Sequence, residues 1–256
     1  MQKTFKGIAH NSSRGTLYLL MINLVLWCLL VFIGDGHAVA EDVEHGVAHL
    51  PEPMVFDLVL PLGAEKGEFE ANTLLLYRDF DNLTWAPEVE FAVLDGFALE
   101  FELVFEGSDL KAYKFAPQYT FELGSQDFFE HGTQAIVEYF RLDKFWEWTL
   151  LYIPGFRIDD TWSTLLMLGG RHTTGLDDED LEAIINATLF ADINERLLLA
   201  FETNLAAGGE EGTYLRLMPQ LRYKFTDHFV IQCGAGVLSD RGETDLELAA
   251  RIIFKN

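Results

Sequence analysis

Basic side chains are scarce in this chain: 18 Lys and Arg stand against 41 Asp and Glu, a net charge of -23 at pH 7. A broad nucleic-acid-binding surface would have to form against the chain's own field, so that class is set aside. Cysteine is scarcer, with only Cys28 and Cys233. If the segment holding Cys28 is removed, no internal disulfide is possible, and an exported protein must hold together by its backbone ladder and packing. Catalytic signals are missing too. Ser108, Ser125, Ser163 and Ser239 are the serines beyond the leader, and none sits two residues from a His. His131-Gly132-Thr133 and His172-Thr173-Thr174 come nearest to a nucleophile and base, without an orienting acid beside them. There is no P-loop and no Gly-x-Gly-x-x-Gly dinucleotide signature. The expectation is a protein that is not an enzyme and takes no cofactor.

Aromatics, by contrast, are abundant. With 21 Phe, 8 Tyr and 5 Trp in 256 residues, the chain demands an apolar environment, which excludes disorder despite the high charge. Lys3, Lys6 and Arg14 precede an apolar run from Leu17 to Ile33, and Ala38-Val39-Ala40 offers small residues before Glu41. This is the pattern of a secretory signal peptide over 1–40, cleaved after Ala40. Leu26-Trp27-Cys28 lacks the small residues that precede a lipoprotein cysteine. Three basic residues and one acid leave with the leader, so the exported part is more acidic still.

From Gly67 onward the chain alternates. In Phe97–Phe105, Phe97, Leu99, Phe101, Leu103 and Phe105 share one face, and Ala98, Glu100, Glu102 and Val104 share the other. Tyr113–Leu123 and Leu215–Phe225 repeat the pattern, and Leu246–Phe254 opposes an apolar row to Glu247 and Arg251. A helical period of 3.6 residues fits none of these. Hairpin turns at Asp95-Gly96, Ile193–Arg196 and Thr226–His228 divide the chain. The spacing predicts twelve strands: 67–78, 84–94, 97–105, 111–123, 132–140, 145–153, 161–169, 181–191, 197–206, 213–225, 229–238 and 246–254. Several strands between 145 and 191 are apolar on both faces, and Val55–Leu62 could add a strand. Segments of about nine to thirteen residues suit strands tilted across a bilayer, and an even count lets a meander close with both ends on one side. The expected fold is all-β: a closed antiparallel up-and-down transmembrane β-barrel over 67–256, after an N-terminal periplasmic segment 41–66. Tyr77, Trp85, Phe105, Tyr113, Tyr139, Trp146, Trp148, Tyr152, Trp162, Tyr223, Phe225 and Phe229 cluster at strand ends, where aromatic girdles would meet the headgroups.

Leu221–Phe229, Leu-Arg-Tyr-Lys-Phe-Thr-Asp-His-Phe, looks like the strand, short turn and next strand of bacterial outer-membrane barrels. Trp85–Phe121, two hairpins with Glu opposite Phe and Leu, resembles the small barrels grouped as outer-membrane transporters of the phenol-degradation-pathway type. The resemblance implies location in the bacterial outer membrane, contact with its lipids, and assembly by the insertion machinery that reads an aromatic-ended last strand. Here Phe254 is followed by Lys255-Asn256, which displaces that aromatic by two residues.

With the apolar rows toward lipid, the lumen-lining candidates are Glu68, Glu70, Glu88, Glu90, Glu100, Glu102, Lys114, Glu122, Glu138, Glu147, Glu202, Arg216, Arg222, Lys224, Glu247 and Arg251. The first three strands supply six Glu with little base nearby, whereas strand 213–225 supplies Arg216, Arg222 and Lys224. The two walls would set up a transverse field that orients polar solutes and favours cations. Short outer loops with Asp177, Asp178, Glu179, Asp180, Glu210 and Glu211 read as solvated surface. His45 and His49, with Glu41 and Glu44, have i, i+4 metal-ligand spacing if helical, but beside a cleavage site they read as a mobile tail and no metal site is assigned. The leading functional expectation is a narrow channel for small solutes with an acidic lumen. A non-conducting structural or lipid-interacting barrel and a soluble periplasmic barrel binding a hydrophobic ligand remain the alternatives.

Overall fold

The computed structural model describes residues 50–56, 58–79, 82–121, 128–175, 180–208 and 212–256. The expected leader, the His45/His49 pair with Glu41 and Glu44, Glu122, and loop residues Asp177, Asp178, Glu179, Glu210 and Glu211 lie outside the described residues.

Each alternating segment forms one strand: β1 (Phe69–Arg78), β2 (Asn82–Leu94), β3 (Phe97–Glu106), β4 (Asp109–Thr120), β5 (Phe129–Phe140), β6 (Phe145–Arg157), β7 (Trp162–Thr174), β8 (Asp180–Asp192), β9 (Leu197–Gly208), β10 (Gly212–Thr226), β11 (Phe229–Asp240) and β12 (Glu243–Lys255). Every strand pairs antiparallel with its sequence neighbours, and β1 pairs with β12 to close the barrel. Closure leaves no edge strand with unpaired backbone groups. Gly67, Asn256 and the turns at 95–96, 193–196 and 227–228 share one rim, termed proximal here. The turns at 107–108, 141–144 and 241–242 mark the distal rim. At the proximal rim Gly96 takes φ 70°, the left-handed conformation that a two-residue hairpin turn requires and that glycine adopts without steric cost.

Exposure fixes which face is outward. Phe101 is 49% exposed while Glu100 is fully buried, and Phe201 is 46% exposed beside a fully buried Glu202. The apolar rows therefore face out and the carboxylates face in, the reverse of a water-soluble β-barrel. Aromatics stack along both rims. Trp85 pairs with Phe105 and Tyr139 with Trp146 on the distal side, and Phe129 with Phe156 and Phe229 with Phe254 on the proximal side.

The interior corrects one expectation. The described residues 50–56 and 58–64 are neither part of a segment outside the barrel nor, within Val55–Leu62, an added strand; they run inside the bore. Leu50 abuts Gly155 near the proximal end of β6. Phe56 lines the cavities of the bore, and Ala64 returns to the proximal rim, where its carbonyl accepts from the Gly96 N–H. The segment is thus a loop inserted and withdrawn through one mouth. Its apolar side chains explain the strands that are apolar on both faces. Leu58, Val59, Leu60 and Leu62 form a buried cluster with Leu151, Ile153, Leu165, Met167, Ile184, Phe190 and Leu198, all from the inner faces of β6–β9. Those inward residues have the loop, not water, as their partner.

Small residues on the wall make the room. A Cβ at Gly234 would come within 2.6 Å of the Met54 methyl and 2.9 Å of the Met218 sulfur. Overpacking of this kind costs about 1–3 kcal/mol. Gly234→Ala is therefore expected to lower the midpoint of denaturant unfolding in detergent, and Met54→Ala in the same chain to recover most of the loss. Additive effects in that double-mutant cycle would mean the two residues do not touch.

Candidate functional site

Glu202, at the middle of β9, is the polar centre of the bore. Its carboxylate accepts three successive backbone N–H groups, from Met54 at 3.0 Å, Val55 at 3.1 Å and Phe56 at 2.9 Å. It also accepts from Asn204 Nδ2 and Gln220 Nε2, each at 2.9 Å. A buried charge satisfied by five donors is held strongly, and consecutive amides turned toward one anion form a nest. Across the bore, Gln118 on β4 binds the same loop twice, accepting from the Val59 N–H at 3.0 Å and donating to the Leu60 carbonyl at 2.8 Å. Leu60 there takes φ 74°, a left-handed conformation costing a branched residue about 1–3 kcal/mol, which these two bonds help to hold.

A second cluster lies where β12 meets β1 and β2. Arg251, fully buried, donates to Glu88 at 3.1 Å, Glu90 at 3.4 Å, Asn72 Oδ1 at 3.1 Å and the Pro53 carbonyl at 3.4 Å, with Glu70 at 3.6 Å. Lys114 reaches Glu100 at 2.8 Å and Glu102 at 2.6 Å from the next strand over. These contacts correct the expected transverse field. The carboxylates of β1–β3 do have basic neighbours, because closure sets Arg251 beside them and β3–β4 register sets Lys114 opposite Glu102. Nor do the basic residues of β10 form an opposing wall. Arg216 is bidentate to Glu247 at 2.6 and 3.1 Å, and Arg222 lies 3.9 Å from Glu52 of the inserted loop.

Glu70, Glu88, Glu90, Glu100, Glu102, Glu138, Glu147, Glu202, Lys114, Arg216, Arg222, Glu247 and Arg251 all occupy the interior. Two candidates do not line the bore. Glu68 precedes β1 on the proximal rim and accepts from the Glu65 N–H. Lys224 reaches out of the same rim to Asp227 in the following turn at 2.8 Å, and this hydrogen bond holds the Asp227 carboxyl below the usual range. Both departures have one cause: alternation says which way a side chain points but not how near it stands to a mouth.

Sequence reasoning missed the inserted loop, the interior amides Asn186 and Asn204, and the ion bridge of Arg171 between Glu147 at 3.6 Å and Glu182 at 3.7 Å, while alternation does put Gln118 and Gln220 on the inward face. Only the doubly apolar strands hinted that something apolar fills the proximal bore. Two cavities lie distal to the loop among the described residues. The larger, of 370 Å³, opens near the distal rim between Glu147, Arg171, Glu182, Tyr214 and Arg216, with Phe56 on its wall. The smaller, of 190 Å³, lies among Phe56, Glu88, Glu102, Lys114 and Glu138. Glu88, Glu90 and Glu100 bring carboxylate oxygens within 4.8 Å of one another, but Arg251 and Lys114 already supply their counter-charge.

Solved structures that superpose on this chain include two porins and an outer-membrane channel. The NanC porin superposes with a TM-score of 0.63 at 10% identity, over 73% of this chain and all of its own. A KdgM porin in complex with disordered oligogalacturonate gives 0.61 at 11%, over 72% of this chain and 98% of its own. An outer-membrane channel from Pseudomonas putida gives 0.58 at 11%, over 75% and 97%. At such identities the likeness is one of fold. No curated protein sequence matches the chain. The profile of the HAEPLYID-like family matches residues 45–255, a span that takes in both the inserted loop and all twelve strands, and the chain belongs to that family.

Proposed function

We propose that the chain is an outer-membrane β-barrel for the passage of small solutes, kept closed by its own residues 50–64. The latch at Glu202 carries this reading: reversible hydrogen bonds, with no covalent tie, hold one continuous loop across a bore whose distal half is polar. The outward rows of Phe, Leu and Trp support contact with outer-membrane lipids, the porin-like fold supports export and assembly by the insertion machinery, and the small residues Ala38-Val39-Ala40 after an apolar run support cleavage after Ala40. They also disfavour a soluble periplasmic barrel, which would turn those rows inward. The surplus of carboxylates in the bore favours neutral or cationic solutes over a polyanion of the kind bound by the KdgM porin. Aromatic solutes would fit the resemblance to the phenol-degradation-pathway type.

A second reading has its own support. The buried apolar cluster between the loop and β6–β9 favours a permanently filled, non-conducting barrel. Planar-bilayer recording separates the two. The full chain is expected to show rare single-channel openings, and a variant with residues 50–64 replaced by a Gly/Ser linker of equal length frequent ones. A full chain silent at every voltage, beside a replaced variant that conducts, would establish the filled scaffold; silence from a replaced variant that keeps the heat-modifiable gel mobility of a folded barrel would overturn passage through the bore.

A further inference from the structure

We infer that solutes pass along the β10–β12 wall of the bore, through a slot stoppered by Met54, and that the loop opens there by moving residues 52–55 while Leu50 and residues 58–64 stay packed. Small inward residues make the slot. Gly234 on β11 carries no side chain, and its cross-strand neighbours are Ala249 on β12, with only a methyl, and Gln220 on β10. Met54, fully buried, fills the space: its methyl stands 2.6 Å from where a Cβ at Gly234 would lie, and it packs with Met218 and Ala249. One step nearer the proximal mouth, Arg222, Gln232 and Arg251 lie side by side across the same three strands. The wall beneath the stopper is thus polar.

Different forces hold the two parts of the loop. The tip is tied to β9–β12 through polar groups: Glu202 accepts from the Met54 and Val55 N–H groups, Arg251 donates to the Pro53 carbonyl, Gln232 donates to the Glu52 carbonyl at 3.4 Å, and Arg222 stands 3.9 Å from the Glu52 carboxylate. Water can replace each of these contacts. The wall groups also keep partners of their own when the tip leaves, Glu202 in Asn204 and Gln220, and Arg251 in Asn72, Glu88 and Glu90. The stem has no such exchange available. Leu58, Val59, Leu60 and Leu62 are buried with Leu151, Ile153, Leu165, Met167, Ile184 and Phe190, and lifting them would wet two apolar surfaces at once. Leu50 belongs to that cluster and Phe56 packs against it, so the tip between them is anchored at both ends.

The path rests on the transport reading, whereas the division of the loop can be measured on a barrel that never conducts. Two reporters at mid-barrel depth are placed in a Cys233→Ala background: Ala249→Cys in the slot and Met167→Cys under the stem, each buried while the loop is docked. The probe is a quaternary-ammonium methanethiosulfonate, which is charged and does not cross the bilayer. Adding Glu202→Ala should speed modification of Ala249→Cys by about tenfold or more and leave Met167→Cys nearly unchanged. Met54→Ala, which removes the stopper and keeps the latch, should give the same asymmetry at smaller amplitude. Equal acceleration at both reporters would mean that the loop leaves as one body, and no acceleration at Ala249→Cys in either folded variant would mean that the tip does not move; both results overturn the inference. In a bilayer, the reagent should block the current of the Glu202→Ala chain carrying Ala249→Cys and spare the one carrying Met167→Cys, and the reverse would overturn the path. Asymmetric modification beside bilayer silence of the loop-replaced chain would overturn transport, and the path with it, and uphold the moving tip.

Discussion

Glu202→Ala is expected to release the loop from the bore without opening the barrel wall. The substitution removes the acceptor of three backbone N–H groups and of two side-chain amides, all from one buried anion. Charge-assisted bonds contribute about 1.5–3 kcal/mol each, but water entering with the loop's departure recovers much of that, so a net loss of about 4 kcal/mol in loop docking is reasonable. That shifts the docked-to-released ratio by roughly a thousandfold. The apolar cluster around Leu58 and Leu62 opposes release and sets how much of the shift appears as an open state. The measurement is thiol labelling of Met54→Cys in a Cys233→Ala background, which is protected when residue 54 is buried. Labelling should accelerate by orders of magnitude with Glu202→Ala and by less with Glu202→Gln, which keeps one carbonyl acceptor. Equal protection in all three chains would mean that packing alone holds the loop.

Arg251→Met carries the second large effect, and here the wall itself is at stake. The guanidinium is fully buried and sits within 3.6 Å of Glu70, Glu88 and Glu90 while also binding Asn72 and the Pro53 carbonyl. Removing one partner from a buried ionic cluster costs about 3–5 kcal/mol, because the remaining charges lose their compensation rather than merely one attraction. The folded, heat-modifiable band should therefore disappear at a clearly lower temperature. Neutralising the acids in the same chain with Glu88→Gln and Glu90→Gln should restore much of the loss. A triple variant no more stable than Arg251→Met would point to lost packing of the long side chain rather than to charge.

Much of this barrel is legible in the amino-acid sequence. Phe97–Phe105 announces its two faces residue by residue, and the same pattern places Glu100, Glu102, Glu202 and Glu247 inside because a strand inverts its side chains at every step. Strand ends are less legible: β5 begins at Phe129 and β7 runs on to Thr174, where turn residues and apolar periodicity give no sharp stop. The path of residues 50–64 is not legible at all. This loop carries no period, its clamp on Glu202 spans 146 to 148 residues of sequence, and its backbone groups from Met54 to Leu60 bond side chains rather than a ladder.

The order of amino acids by itself determined twelve membrane-length strands, the outward apolar rows and the inward carboxylates, since all of these follow from a two-residue repeat that each segment carries within itself. Tertiary structure alone decided what the carboxylates meet. Closing β1 on β12 brought Arg251 to Glu88 and Glu90, and folding the chain's own N-terminal side into the bore gave Glu202 its amides. The physical reason is that direction along a strand is a local steric property, whereas the counter-charge of a buried group is set by whichever distant segment completes its desolvated shell.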